Sequence, residues 1–527
     1  MTAFTSLLEG LQQVFTLEAM CYLLAGVFIG NVAGLLPGLG ATSGTAILLP
    51  LTFGMDAVDS LVMLAGIYYG TMYGGTISAI LINVPGTTAA AMSSLDGYPL
   101  TRRGKGGKAL CVATFSCFVG GLIGTLGLTF GGSTLAQVAL KFGAPEMFAL
   151  TLMGLCLVTG ITGDYPLKGY LMLIFGLLLG TIGIDTITGQ QRFTFNFIYL
   201  LDGLNTIPVL VGLFGFSEVF VQLEKRSKWD KKDNHGKVSI RESLLNKEEW
   251  KTISVPTLRG TLIGFFVGAL PGAGATIASV ITYGTEKKLS KHPERFGDGA
   301  IVASYVSYNI GKIVSKERDQ FGQGSRDAVA ACEASNNAVV GGTLIPTLTL
   351  GIPGSAATAV LLTAMLMYGV QPGPRLFATG GSLAWVVIAS MFVGNILLVL
   401  MNLMGIPLFV KILNASANFL MPMVGVLCFI GAYSLNNSVF EVGVMAFFGV
   451  LGYILKKLDF PGLPAILGLI LGSSAETSLR QGLIMSDNDW SIYFTRPLSL
   501  VFMLITFAML FLPLFRALRN KRKNRAA

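Results

Sequence analysis

The sequence predicts an all-α polytopic membrane protein, with about ten to thirteen membrane segments in two repeats and with helices that are broken or re-entrant at Pro-Gly motifs. Mean hydropathy is +0.67, and only 12% of the 527 residues are charged, well below the share in soluble proteins. Apolar stretches of roughly 18 residues, enough to cross a bilayer as a helix, recur along the chain. The third observation is a phrase that occurs twice.

The repeated phrase defines the two halves. Residues 26–42 (GVFIGNVAGLLPGLGAT) and 260–276 (GTLIGFFVGALPGAGAT) are identical at ten of seventeen positions, at an offset of 234. A second Pro-Gly phrase follows each, NVPGTTAAA at 83–91 and GIPGSAATA at 351–359. Each half also carries a GGT triplet, at 74–76 and 341–343. Matched Pro-Gly breaks inside apolar sequence are typical of a secondary transporter built from repeats.

Basic residues divide the chain and orient it. Residues 1–224 are the first transmembrane repeat, 225–250 a basic linker, 251–515 the second repeat and 516–527 a basic tail. Nine Lys and Arg in 225–251 and six in the tail flank apolar segments, which predicts that both regions are cytoplasmic. The net charge of +9 is therefore attributed to contact with the lipid bilayer, and no nucleic-acid partner is expected.

The same charges predict that the two repeats have opposite orientations. Arg102, Arg103, Lys105 and Lys108 form a cytoplasmic loop, and four segments then lead to the cytoplasmic linker. The first twenty residues contain no Lys or Arg, which favours a periplasmic N-terminus and argues against a cleavable signal peptide. The C-terminus is expected in the cytoplasm. One miscounted hairpin would give a parallel repeat instead.

A smaller repeat lies in the second half. Residues 278–299 and 303–324 match at nine of 22 positions, at an offset of 25. One interpretation is a local tandem duplication within the repeat. The other is two similar polar surface hairpins that have no role in the mechanism.

The Pro-Gly phrases are the candidate binding site. Proline and glycine interrupt helices, and an interrupted membrane helix persists only where protein or a polar cavity surrounds it. The new helix start offers amides to a carboxylate, and released carbonyls suit a small cation. The alternative is that the breaks are kinks that bind nothing. The candidate residues are Pro37, Gly38, Gly40, Thr42, Ser43, Asn83, Pro85, Gly86, Thr87, Thr88, Pro271, Gly272, Gly274, Thr276, Pro353, Gly354, Ser355 and Thr358.

The stretch ACEASNNAVVGGT at 331–343 adds an ionisable candidate. Spacings of three and four place Glu333, Asn336 and Asn337 on one helix face. A carboxylate beside apolar sequence indicates cation or proton coupling, whereas the alternative pairs Glu333 with a loop lysine at the membrane edge. The other carboxylates near segment ends are expected at the interface rather than buried, namely Asp56, Asp59, Asp96, Glu146, Asp164, Asp185 and Asp202.

Enzyme chemistry is not expected. The six cysteines have no CxxC spacing, and the two histidines lie in polar loops. The chain contains no HExxH or GxSxG motif for an intramembrane enzyme and no Walker motif for ATP. We therefore expect no catalytic residue, no metal site and no cofactor, apart from Na⁺ or H⁺ as a coupling ion at the same motifs.

Several phrases resemble the large membrane subunit of the tripartite tricarboxylate transporters, the TctA family. They are GLLPGLGAT, GIYYGTMYGGTISAILINVPGTTAAAMSSLDGYPL, EKKLSKHPERFG, EASNNA and GGTLIPTLTLGIPGSAAT. Two features depart from the family pattern: Cys332 stands where the family usually has proline, and the segment at 278–324 occurs in two copies.

The resemblance implies a subunit of the bacterial inner membrane that works with a small TctB-like membrane subunit and a periplasmic TctC-like solute-binding protein. Such a system imports di- and tricarboxylates such as citrate on an ion gradient. The same scaffold importing another organic acid or an uncharged compound is the main alternative. An intramembrane enzyme or a channel is the alternative from another class.

Overall fold

The structure, a computed structural model, describes residues 3–36, 40–83, 85–161, 166–185, 188–224, 245–270, 274–289, 325–377, 383–413, 425–426, 428–430, 432–433 and 436–508. Several predicted features lie outside the described residues: Pro37, Gly38, Pro271 and Gly272, linker residues 225–244, residues 290–324 of the tandem segment, and the tail at 516–527.

The described chain is almost entirely helical, which confirms the predicted fold class. In chain order the helices are α1 (Ala3–Val14), α2 (Leu17–Leu35), α3 (Gly40–Leu48), α4 (Ala57–Ile82), α5 (Ala91–Arg102), α6 (Gly106–Ala139), α7 (Ala144–Ile161), α8 (Pro166–Gly180), α9 (Thr206–Leu210), α10 (Ser217–Glu224), α11 (Lys247–Gly268), α12 (Gly274–Leu289), α13 (Arg326–Leu350), α14 (Ala356–Met367), α15 (Leu383–Leu413), α16 (Val439–Lys457), α17 (Gly462–Met485), α18 (Ile492–Thr495) and α19 (Pro497–Ala508). Strands β1 (Gly183–Ile184) and β2 (Gln191–Arg192) form a short antiparallel hairpin in which Gly183 lies opposite Arg192.

Five of the described helices are long and apolar enough to cross a membrane: α2, α6, α15 over Leu383–Gly405, α16 and α17. Several shorter helices, α14 among them, are also apolar. These findings agree with a multi-pass membrane protein. The number of segments and the side on which each terminus lies stay predictions.

The chain forms two compact units, Met1–Gln137 with Ile207–Ile454, and Val138–Thr206 with Leu455–Ala527. In the second unit, α8 packs on α17 through Gly176 and Gly468, where a side chain would collide with the facing backbone. Asp185 beside β1 accepts hydrogen bonds from Arg192 and from Arg480, the latter at 3.0 Å. Both copies of the repeated phrase, at 26–42 and 260–276, belong to the first unit.

Two helix pairs in the first unit are packed in the same way. Along α2, side chains at Gly26, Gly30 and Gly34 would collide with the α4 carbonyls of Met63, Ile67 and Thr71. Along α11, side chains at Gly260, Gly264 and Gly268 would collide with the α13 carbonyls of Ala331, Ser335 and Val339. Glycines spaced by four let two membrane helices approach closely. The glycines match at an offset of 234 and the carbonyls at 268, so both halves contain the same parallel helix pair.

Helices α4 and α13 run in opposite directions where they touch. Thr76, near the end of α4, donates a 2.7 Å hydrogen bond to Glu333 near the start of α13. Tyr68, earlier in α4, lies 3.4 Å from Thr343, later in α13. Since each helix is parallel to its own glycine partner, α2 and α11 also run in opposite directions. This geometry supports an inverted repeat, whose orientation in the membrane stays a prediction.

A helical hairpin precedes the long helix in each half. After α3, the carbonyl of Thr52 accepts a 3.2 Å bond from the Ser60 hydroxyl in the first turn of α4. The chain therefore returns to the end at which α2 and α4 begin, and α3 is re-entrant rather than a continuation of α2. In the second half Glu286 of α12 contacts Arg259 of α11 at 3.5 Å, which shows the same return.

Three carboxylates that were expected at the interface are buried, and for them the expectation is wrong. Asp96 is fully buried on α5 and accepts 2.8 Å bonds from the Tyr283 hydroxyl and the Ser325 amide. Glu146 and Asp185 are nearly buried, and each faces an arginine. Hydrogen bonds and ion pairs offset the cost of burying these groups, and a local sequence reading did not reveal those partners.

Candidate functional site

Each half contains a helix that begins directly after the first Pro-Gly break. Helix α3 begins at Gly40 with φ +57°, and α12 begins at Gly274 with φ +62°. Both are left-handed conformations that favour glycine. Thr42 and Ser43 lie in the first turn of α3, where backbone amides have no partner within the helix. The two helix starts therefore present partial positive charge near matched glycines.

The second Pro-Gly phrase lies against the first in the N-terminal half. The Gly40 amide donates a 3.0 Å bond to the Gly86 carbonyl, and the Gly86 amide donates a 3.2 Å bond to the Gly75 carbonyl. A side chain at Gly86 would collide with the Gly34 carbonyl. The start of α3 and the break at 85–86 therefore meet through backbone contacts at the end of α4, which stops at the left-handed, exposed Asn83.

The second half repeats this arrangement with different side chains. Helix α13 ends at Gly351, also left-handed, and the buried Gly354 donates its amide to the Thr347 hydroxyl at 3.2 Å. A side chain at Gly354 would lie 2.6 Å from the Cα of Thr343. Gly354 therefore sits on Thr343 as Gly86 sits on Gly75. In this arrangement Gly75 corresponds to Thr343 and Gly86 to Gly354, at an offset of 268. The GGT triplets at 74–76 and 341–343 match in sequence at an offset of 267, which is one residue less.

The two halves meet at their breaks. The hydroxyls of Thr88, from the second phrase of the first half, and Thr276, from the first phrase of the second half, share a 2.6 Å hydrogen bond. Tyr68 of α4 reaches Ser355 of the second half at 3.4 Å. Thr88 is exposed and Thr276 is partly exposed, so this contact is accessible rather than sealed in the core.

Glu333 is the buried carboxylate of the region. It is fully buried and accepts hydrogen bonds from Ser93, from Thr76 at 2.7 Å and from the Cys117 thiol at 3.3 Å. Among the described residues, no Lys or Arg forms an ion pair with it. The pairing with a loop lysine, considered above, does not occur in the described part of the chain.

Three buried polar side chains near these helices have incomplete hydrogen bonding within the described residues. Within the described residues, Asn31 on α2 and Ser279 on α12 have no side-chain hydrogen-bond partner. Asn336, one turn after Glu333, faces that carboxylate, and no other partner is found for its amide in the same part of the chain. Asn337 differs because its amide donates to the Glu333 carbonyl at 3.3 Å. Buried amides without partners are costly, which makes Asn31 and Asn336 candidate ligand contacts.

Some predicted site residues form hydrogen bonds within their own turns. The Thr87 hydroxyl accepts the Ala90 amide at 3.3 Å. Ser355 and Thr358 form a capping box at the start of α14, with bonds of 3.2 and 2.9 Å. Capping groups hold the helix start in place. Pro85 and Pro353 flank the close glycine contacts, and Pro353 is buried.

The sequence analysis missed the residues that join the halves, namely Tyr68, Thr76, Ser93, Cys117 and Thr343. One signal was available: Thr76 and Thr343 are the last residues of the two GGT triplets. No local pattern marks Ser93 or Cys117. Within the described residues no group of three or more His, Cys, Asp or Glu side chains is arranged to hold a metal ion.

The comparison with known families decides the kind of protein. A model of the tripartite tricarboxylate transporter TctA family matches residues 20–302 and 299–467. The chain belongs to the TctA family. The resemblance noted in the sequence is thereby confirmed, and the family is one of transporters rather than enzymes. The two matched segments overlap at 299–302, where the first copy of the tandem segment ends and the second is about to begin.

Two proteins of Agrobacterium vitis are similar to this member of the TctA family. One, described as an uncharacterized 52.8 kDa protein in TAR-I ttuC' 3'region, is 38% identical over 523 residues, 99% of this chain and 98% of its own. The other, an uncharacterized protein in TAR-II ttuC' 3'region, is 35% identical over 259 residues, 49% of this chain and 97% of its own. No solved structure matches the chain.

Proposed function

We propose that this chain is the large permease subunit of a tripartite secondary transporter that imports di- and tricarboxylates into a bacterial cell. It works in the inner membrane with a small TctB-like membrane subunit and a periplasmic TctC-like solute-binding protein. A Na⁺ or H⁺ gradient drives uptake. Membership of the TctA family supports the transporter assignment, whereas the substrate, the ion and the partners belong to the proposal.

The observation that carries the proposal is the contact between Thr88 and Thr276. Two broken-helix phrases from oppositely directed halves share a 2.6 Å hydrogen bond at partly accessible side chains. Secondary transporters with inverted repeats place substrate and ion at such a junction, since relative movement of the halves then opens the site to each side.

The substrate carboxylates are bound by helix starts and hydroxyls. One helix terminus contributes only about 0.3–1 kcal/mol when exposed and about 2 kcal/mol when partly buried. Binding therefore needs both α3 and α12, assisted by Thr42, Ser43, Thr88 and Thr276. Neither Pro-Gly phrase contains an arginine, so modest affinity is expected from this subunit alone.

Coupling to a cation is required by the charge of the substrate. An anion entering a cell with a negative interior is opposed by about 2.3 kcal/mol per charge per 100 mV. A di- or trivalent substrate needs cations that move with it to cancel this cost, and further ones for accumulation. Glu333, Asn336 and the hydroxyls at the breaks are the groups proposed to serve this coupling.

Labelled citrate uptake into membrane vesicles tests the proposal. Vesicles contain the chain with its small partner, with and without the solute-binding protein, and an imposed sodium or pH gradient. The proposal expects accumulation that needs the binding protein and one gradient but no ATP. Accumulation that needs ATP, or equilibration without any gradient, contradicts it. If citrate is not taken up but another organic acid is, the assignment as a transporter stands and the substrate is corrected.

A further inference from the structure

Glu333 lies where the two halves contact each other deep in the fold. The residue belongs to α13 of the second half, but its side-chain oxygens are contacted from three helices of the first half. Thr76 of α4 and Cys117 of α6 approach Oε2, while Ser93 of α5 approaches Oε1. The carboxyl group is fully buried. A change in its charge therefore acts directly on the packing between the halves.

Among the described residues, no Lys or Arg forms an ion pair with Glu333. The titratable groups that face it within the described residues are Tyr73 on α4, Cys117 on α6 and Cys332 on its own helix. Asp96 on α5 and Glu286 on α12 both act on Cys332 and add negative charge, and Glu286 is paired with Arg259 of α11 at 3.5 Å. An ionised carboxylate without a cation costs several kcal/mol in a desolvated site. The group therefore needs a proton or a bound cation for at least part of the transport cycle.

The contacting groups suit a proton that comes and goes. Serine and threonine hydroxyls donate to a carboxylate and accept from a carboxylic acid with equal ease. In a helix their own hydrogen then turns to a carbonyl of the preceding turn. A lysine partner lacks this ability because it only donates. The sulfur of Cys117 on Oε2 makes the same pocket a poor site for an alkali cation, since such ions prefer oxygen ligands.

We infer that Glu333 carries the coupling proton, so that H⁺ rather than Na⁺ is the driving ion at this position. The inference rests on the proposed function. A proton bonds to one carboxyl oxygen while the site is open to the periplasm, which converts the anion to a neutral acid. That O–H bond breaks when the site is open to the cytoplasm, and the proton leaves with its positive charge. Thr76 of α4, Ser93 of α5 and Cys117 of α6 act as positioning residues. Their hydrogen bonds to the carboxyl group change with its charge, and this couples the charge to the positions of the three helices.

Infrared difference spectroscopy of the purified protein tests the proton site without any substrate. The spectrum is recorded on raising and lowering the pH. The inference expects the band of a buried protonated carboxylic acid, present in the wild type and absent in Glu333→Gln. Glu441→Gln is the matched control: Glu441 is another buried glutamate with a neutral partner, Asn436 at 2.8 Å, outside the site. Identical spectra for wild type and Glu333→Gln at every pH overturn the inference.

Citrate transport separates this inference from the proposed function. Uptake driven by a pH gradient should fall by roughly tenfold or more in Glu333→Gln, while citrate exchange with no net proton movement should fall much less. Glu441→Gln should retain both. Uptake by the wild type that follows an imposed sodium gradient and ignores a pH gradient overturns the proton assignment and leaves the carrier function intact. A lack of citrate transport with a Glu333-dependent infrared band contradicts the substrate alone.

Discussion

The two halves of the first unit share their packing but differ in their charges. Glycine contacts hold α2 on α4 and α11 on α13 at matched positions. At the end of the first hairpin, the Thr52 carbonyl accepts neutral bonds from Ser60 and from Tyr368. In the second half, the residue that matches Thr52 at offset 234 is Glu286, which pairs with Arg259.

The same contrast holds along the long helices. Glu333 of α13 matches Ala65 of α4 at offset 268, and Arg259 of α11 matches Ala25 of α2 at offset 234. The shared positions are backbone contacts, and the positions that differ are ionisable. This separation teaches that packing glycines specify the common hairpin fold, whereas the ionisable side chains at these positions occur in one half only.

The largest effect is expected from changing the close glycine contacts that both halves share. Replacing Gly86 or Gly354 by valine places a side chain into the facing backbone, which costs at least about 1–3 kcal/mol and displaces the helix starts. Citrate uptake at normal expression should be lost in both variants, and Thr87→Ala should retain more of it. Gly443→Val in α16 is the control because no atom lies within 4 Å of its added carbon. Unchanged uptake in Gly86→Val and Gly354→Val would show that the backbone site is wrong.

The next largest effect is expected from the Arg259–Glu286 ion pair, which the second half has and the first half lacks. Arg259→Ala alone removes the cation that contacts buried Glu286, and Glu286→Thr alone removes the carboxylate that contacts Arg259. Each should lower the free energy of unfolding by about 1–3 kcal/mol, less than for a fully buried pair since Arg259 is partly exposed. The double variant installs the pair found in the first half, Ala25 and Thr52, and should recover most of that loss. Thermal unfolding of the purified proteins measures it. A double variant that is less stable than both single ones would contradict the equivalence of the halves.

A smaller effect is expected from the neutral bonds of the first half. Tyr368→Phe removes the hydrogen bonds that join its hydroxyl to the Thr52 carbonyl and the Ser60 hydroxyl. The loss should be about 1 kcal/mol, the usual net value of a neutral hydrogen bond. The same thermal unfolding assay measures it, with Tyr433→Phe, an exposed tyrosine, as the control. If Tyr368→Phe lowers the free energy of unfolding as much as Arg259→Ala does, the ion pair of the second half stabilises the protein no more than the neutral bonds of the first half.

The smallest effect concerns a helix cap. Thr358→Ala removes half of the capping box at the start of α14 and should cost about 1 kcal/mol or less. Uptake should be nearly unchanged, because the hydroxyl is used within its own helix turn. Thr88→Ala, at the junction with Thr276, should reduce uptake more while affecting stability less. If Thr358→Ala reduced uptake more than Thr88→Ala and affected stability less, the roles assigned to the two threonines would be wrong.

Sequence reasoning succeeded for the fold class, because hydropathy and Pro-Gly breaks are local patterns. The repeated phrases predicted two repeats, and a helical spacing of three selected Glu333 and Asn336; these site residues stay predictions. It failed where partners come from distant helices. Ser93 and Cys117 are 240 and 216 residues from Glu333, and no local signal joins them. The hydrogen bond of Thr87 to the Ala90 amide and the capping role of Thr358 were also hidden. A hydroxyl beside a break can bond to nearby backbone or to a ligand, and the sequence is the same in both cases.

The inversion of the halves is the central claim, and labelling from the two sides of the membrane tests it most directly. Glu18 and Lys247 are exposed at the starts of the matched helices α2 and α11. In a Cys21→Ser background, whose five other cysteines are buried, each is replaced singly by cysteine and treated with an impermeant maleimide. We expect Glu18→Cys to react in intact cells or spheroplasts and Lys247→Cys only in inside-out vesicles. Reaction of both positions from the same side would contradict the inverted repeat and the transport site built on it.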